Sequence, residues 1–142
     1  VKFATSYLID NTWVSGSEGT VKLRVNATDS PLVLNINKAI LGIKLAADHK
    51  GAADGIIAGV LDTEEFIAEF RKFLGYLGLC DDSVFDGIAN QIRGASDIMK
   101  DGSQDPSKTC DGISIGLGFE ANEVQLGAVA PPAVPEQDPC VP

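Results

Sequence analysis

The spacing of apolar residues changes twice along this chain. It has period two through most of residues 1–61, helical spacing through about 62–100, and period two again after Cys110. Period two buries one face of a strand and helical spacing buries one side of a helix, so the pattern requires a sheet interrupted by helices. It predicts an α+β fold: an antiparallel β-sheet or sandwich with an inserted helical hairpin. At 142 residues the chain has the size of one domain. Residues 1–130 read as a single β-rich domain with the helical insertion at about 62–100. Residues 131–142, rich in proline, read as an extended tail.

"VKFATSYLIDNTWV" is dominated by strand formers, and "SGSEG" after it reads as a turn. "TVKLRVNA" places Val21, Leu23 and Val25 on one face and Lys22, Arg24 and Asn26 on the other, a half-buried strand. "TDSP" breaks it. "LVLNINKAILGIKLAA" is long enough for one bent strand or two strands, with Gly42 the expected bulge. "DHKGAAD" reads as a hairpin connection. "GIIAGVL" reads as the returning strand, with helix as the rival assignment for so short an apolar run.

"DTEEFIAEFRKFLGYLGLC" is the clearest helix. Asp62 is placed to cap it, Glu65 suits a capping box, and Gly78 is the expected terminator. A second helix is expected from about Ser83 to Lys100, capped by Asp81 or Asp82, with Phe85, Ile88, Ile92, Ala95 and Met99 on one stripe. The short connection makes the two an antiparallel pair. "CDGISIGLGFEANEVQLGAVA" resumes alternation, with Ile113, Ile115, Leu117 and Phe119 opposite Ser114, Gly116 and Gly118. Those glycines suggest a close backbone approach or a sheet edge. "ANE" is expected to turn the chain into a last strand, Val124–Val129.

Three cysteines need an explanation. Cys80 and Cys110 lack the spacing of a zinc site or of a thioredoxin-type pair. The expectation is a structural disulfide, Cys80 to Cys110, tying the far end of the helical hairpin to the sheet and adding roughly 3–4 kcal/mol. Two buried thiols are the alternative. Cys140 is then left over, either paired outside this chain segment or a free tail thiol.

The candidates for chemistry are few. Aspartates gather around the second helix, and Asp101, Asp105 and Asp111 are weak candidates for a calcium site. "DGSQD" lacks the D-x-[DN]-x-[DN]-G-x5-E pattern, so capping and solvated loop acids are the simpler reading. His49, the sole histidine, lies in a turn with no nucleophile motif beside it. Asn26-Ala27-Thr28 matches a glycosylation sequon, which matters only in a eukaryotic secretory route. "GISIGLG" lacks the following helix that a dinucleotide-binding loop needs.

Twenty acidic residues against eleven basic ones give a net charge of −9, which repels nucleic acid and anionic membrane surfaces. No apolar run is long enough to span a membrane as a helix. The chain starts at Val1 in a strand-like pattern, and reads as a processed or trimmed product without its signal peptide, leaving room for an absent N-terminal partner domain.

At "GIIAGVLDTEEF", "SDIMKDGSQDPSKTCDGISIGLGFEA" and "PPAVPEQDPC" the chain resembles uncharacterised exported proteins or lipoproteins of myxobacteria and similar Gram-negative bacteria. The resemblance covers roughly residues 55–140. It implies export to the cell envelope, and it carries over no activity and no functional residue. The functional expectation is a non-enzymatic secreted or cell-envelope module, structural or binding, with no cofactor. Its partner would be another protein chain or a missing N-terminal segment. A calcium-dependent binding or adhesion module is one alternative. A fragment of an exported hydrolase is the other.

Overall fold

The computed structural model describes residues 3, 5–16, 18–26, 31–131 and 139–140. In chain order the elements are β1 (Ser6–Ile9), β2 (Thr12–Ser15), β3 (Gly19–Asn26), β4 (Pro31–Leu45), β5 (Gly51–Asp62), α1 (Thr63–Tyr76), α2 (Asp82–Gly94) and β6 (Gly112–Asn122). The strands form one antiparallel sheet in the order β1-β2-β4-β5-β6, with β3 also paired to β4. The helical hairpin is inserted between β5 and β6, which are neighbours in the sheet, as the α+β reading requires.

The first expected strand is a hairpin. Asp10 and Asn11 both have positive φ, 47° and 60°, and form the two-residue turn between β1 and β2. That turn demands left-handed backbone at both central positions, and Asp and Asn accept it most readily after glycine.

β4 is a single long strand serving two partners on one edge. Its first half pairs with β3, and Gly42 and its neighbours pair with β2. The break between the halves is a bulge at Lys38, φ 53°. This residue is extra relative to both flanking strands: Val21 and Gly19 face Ile36 and Ala39, while Val60 and Ala58 face Asn37 and Ile40. A second bulge lies in β5 at Asp54, φ 50°, again extra relative to both neighbours. Gly42, the expected bulge, is regularly paired with Val14 and with Ile56.

Each bulge bends its strand and shifts the alternation by one. In β4 the set that lines the core passes from Leu34 and Ile36 to Ala39 and Leu41 across the bulge. The bend folds the β3–β4 half over β5. A Cβ on Gly59 would lie 2.5 Å from Ile36 Cγ2 and 2.7 Å from the Asn37 carbonyl oxygen, so only glycine lets the two layers meet. Val21, Leu34, Ile36, Ala39, Ile57 and Leu61 form the core here, flanked by Phe66 of α1 and by Ile113, Ile115, Leu117 and Phe119 of β6.

Asp62 caps α1, accepting from the Glu64 and Glu65 amides. Glu65 does not close the capping box: its carboxylate accepts from the Asn35 amide of β4 at 2.7 Å instead. At the other end Gly78, φ 77°, ends the helix. The Gly78 amide bonds to Gly75 and the Leu79 amide to Leu74, the paired bonds of a left-handed glycine cap. α1 packs on β4 and β5, and α2 packs on α1. Arg93 grips Glu64 with two nitrogens, at 2.7 and 2.8 Å, and Arg71 meets Asp82, so the helices run antiparallel.

Two expected extensions do not form. α2 stops at Gly94 rather than Lys100, because Ile98 bonds to Gly112 of β6 and a turn closed by Gly102 follows. After β6 the Val124–Val129 segment forms no strand, with Leu126 and Val129 each 98% exposed. β5 begins at Gly51, opposite Asn122, so the ladder has no strand to continue against.

The disulfide expectation also needs correction. Cys80 is bonded to Cys140, with Cα atoms 5.4 Å apart, and Cys110 is a half-buried free thiol. The reason lies in the hairpin itself. α2 returns the chain to the start of α1, where the Thr63 amide bonds to the Asp111 carbonyl. Cys110 therefore sits one helix length, about 20 Å, from Cys80. Pro139 and Cys140 lie against Gly75 at the far end of α1. Cys140, expected to pair outside the segment, closes a loop of sequence separation 60 within it. The remaining tail residues, 132–138 and 141–142, and the Ala27 and Thr28 sites of the sequon lie outside the described residues.

Two measurements check this arrangement. Gly59→Ala should cost about 1–3 kcal/mol in chemical denaturation, the penalty of overpacking a closed contact; a neutral effect would remove the layer contact. Cys80→Ser should lose about 4 kcal/mol by the chain-entropy model, whereas Cys110→Ser keeps the disulfide in non-reducing peptide maps and leaves the melting temperature nearly unchanged.

Candidate functional site

Two regions concentrate unusual features: a polar junction where the helices rejoin the sheet, and the uncovered face and edge of the sheet itself.

The junction is built from the ends of β5 and β6 and from the segment after α2. Asp97 accepts from both the amide and the hydroxyl of Ser114. Thr63 Oγ1 and Ser96 Oγ are 2.8 Å apart. Lys100 bonds through its amide to Asp111 and through its ammonium to Asp62 at 3.2 Å. The Ser114 hydroxyl and amide hold the Asp97 carboxyl below its ordinary value of 3.8. Burial opposes ionisation of Asp62, but the Glu65 amide, Lys100 and the Glu64 amide outweigh it, so Asp62 too lies below 3.8. The two bonds pin Ser114 to Asp97 at the start of β6. His49 could not join them: it lies in the exposed β4–β5 turn, at the other end of β5, roughly 30 Å along the strand.

The three aspartates considered for calcium are not brought together. Asp101 accepts from the Ser103 amide and hydroxyl, and Asp105 from those of Ser107. Asp111 serves Lys100. Among the described residues no three His, Cys, Asp or Glu side chains gather as a metal site. Asp101 and Asp105 are each instead the first residue of a small turn, which is what D-x-S spacing encodes.

The sheet face is the more distinctive surface. One cross-strand row runs through β1, β2, β4, β5 and β6 in order: Tyr7, Val14, Gly42, Ile56 and Gly118. A second row beside it holds Ile40, Ala58 and Gly116. Tyr7 and Ile56 are each 55% exposed and Ile40 is 45% exposed. A Cβ on Gly42 or Gly116 would meet nothing within 4 Å, so among the described residues no element covers these two positions. The face carries Tyr7 at its rim, and Ile40 and Ile56 on its central strands stand among small residues. The periodicity marked Gly116 and Gly118 as unusual; it could not place Gly42 and Ile56 beside them, because that needs the register of five strands. The junction residues Asp97, Ser96 and Thr63 had no signal beyond their polarity.

Comparison with family models, with curated proteins and with solved structures found no match.

The junction predicts an acid-dependent stability. Asp62 and Asp97 have folded values below 3.8, so their contribution is complete above about 3.8 and is lost as pH falls through the lower folded values. Asp97→Asn should melt below wild type at pH 7, and the gap should close as the pH is taken below 3.8. A gap that stays constant with pH would show that the Asp97 charge plays no part.

Proposed function

We propose that the chain is a non-enzymatic secreted or cell-envelope module that binds or scaffolds through the open face of its sheet. The observation carrying this reading is the row from Tyr7 to Gly118, with Tyr7, Ile40 and Ile56 exposed among small or half-buried residues. Contiguous apolar surface of this kind marks interaction sites, whereas single exposed apolar residues are ordinary. An open sheet face suits an extended or planar partner better than a small molecule, which needs an enclosing pocket.

The compartment is supported by two features. A structural disulfide persists in oxidising surroundings outside the cytosol. No described helix is long and apolar enough to cross a membrane. The net charge of −9 favours partners that are neutral or cationic over nucleic acid.

The test is cosedimentation with insoluble envelope material. Wild type should pellet with it. A variant combining Ile40→Lys and Ile56→Lys should stay in the supernatant, with circular dichroism and melting temperature unchanged because both side chains point to solvent. Equal pelleting of the two would remove this face from the function.

A further inference from the structure

Among the described residues, the outer edge of β6 is capped at one end and open along the rest. The Thr63 amide bonds to Asp111 and the Glu123 amide to Lys50, while Gly112 faces Asp62 and Asn122 faces Gly51. This phase turns the main-chain groups of the even-numbered residues, Gly112 to Asn122, away from β5. Ile98 takes both outward groups of Gly112, and the Asp97 carboxylate takes the Ser114 amide. Gly116, Gly118 and Glu120 are exposed, and among the described residues nothing bonds to their outward amides and carbonyls.

Exposed edges are normally blunted by lysine, proline, a bulge or a covering segment. β6 has none of the first three: no charge occurs from Gly112 to Phe119, no proline lies in the strand, and the nearby bulge belongs to β5. Only the covering segment is present, and it stops at Ser114.

We propose that two copies of this chain pair antiparallel through β6, with a two-fold axis at Gly118. Gly118 then faces Gly118 of the second copy, Gly116 faces its Glu120, and the Ser114 carbonyl faces its Asn122. The capped residue Gly112 falls outside the paired stretch. On the core side Leu117 faces Phe119 and Ile115 faces Ala121, which prolongs the apolar row across the axis. The register is also compatible with the acidity of the chain. The one charge in the paired stretch, Glu120, lies opposite a glycine, and the two Glu120 side chains are about 14 Å apart, beyond the screening length at physiological salt. A second copy is thus the occupant whose strand is uncharged where this edge is uncharged. The pairing needs no ligand on the sheet face, so it stands or falls separately from the proposed binding role.

Sedimentation equilibrium over a wide concentration range tests it. Wild type should pass from monomer to dimer and no further. Gly118→Pro removes an amide that β5 does not use, and should give a monomer with unchanged melting. The register has its own test at position 116, where an added Cβ would meet nothing within 4 Å inside the monomer. Gly116→Glu sets a carboxylate against Glu120 of the second copy, twice per dimer, and should weaken association roughly tenfold relative to Gly116→Lys. This comparison decides the matter even if the proline variant fails to fold. Wild type monomeric at all concentrations, equal association of the Glu and Lys variants, or growth into open oligomers would each overturn the proposal.

Discussion

Ile36 rests on Gly59 at a distance that no other residue at position 59 would allow, and the fold follows from that contact. It lets the β3–β4 half cross β5 closely enough to bury Ile36 completely. The same crossing divides β4, so that one strand pairs with β3 along its first half and with β2 along its second. Without the close approach the two halves would form a flat sheet, and Val21, Leu34, Ile57 and Leu61 would have no common interior. Phe66 enters this interior from the start of α1, which fixes the helical hairpin against the sheet at the point where it departs from it.

The two bulges make the bend possible, and they explain what was legible beforehand. Lys38 and Asp54 each add one residue relative to both neighbours. Each adopts positive φ without being glycine. The sequence carries the trace of the first as a phase slip: Leu32, Leu34 and Ile36 are even, Ala39 and Leu41 odd. Composition pointed to Gly42 instead, because glycine is the commoner marker of a bulge. The class of fold, the capping role of Asp62 and the glycine stop at Gly78 were readable because each depends on contacts within a few residues. The β1–β2 turn was equally local, and was missed because Asp10-Asn11 lacks the glycine that usually signals it.

The cysteine pairing was misread for a different reason. Proximity in sequence suggested Cys80 with Cys110, yet an antiparallel hairpin separates its loop from its two ends by a helix length. Cys140, in a tail where no strand or helix was predicted, lies instead against Gly75 at the loop end. Long-range topology was also what hid the candidate binding face. Tyr7, Val14, Gly42, Ile56 and Gly118 are scattered over more than a hundred residues, and only the register of five strands aligns them.

The helical insertion governs what remains exposed. It enters between neighbouring strands, and the Thr63–Asp111 bond closes its base so that β5 and β6 pair as though joined directly. The segment returning from α2 then has to pass the start of β6. In passing, it satisfies Gly112 and Ser114 and deposits Lys100 between Asp62 and Asp111. Its turn at Gly102 takes it away toward Lys38, so among the described residues the edge beyond Ser114 is left bare. The open stretch is therefore a consequence of how far the insertion reaches. A longer return segment would have sealed the sheet, and a shorter one would have exposed Gly112 as well and moved the centre of the free edge away from Gly118.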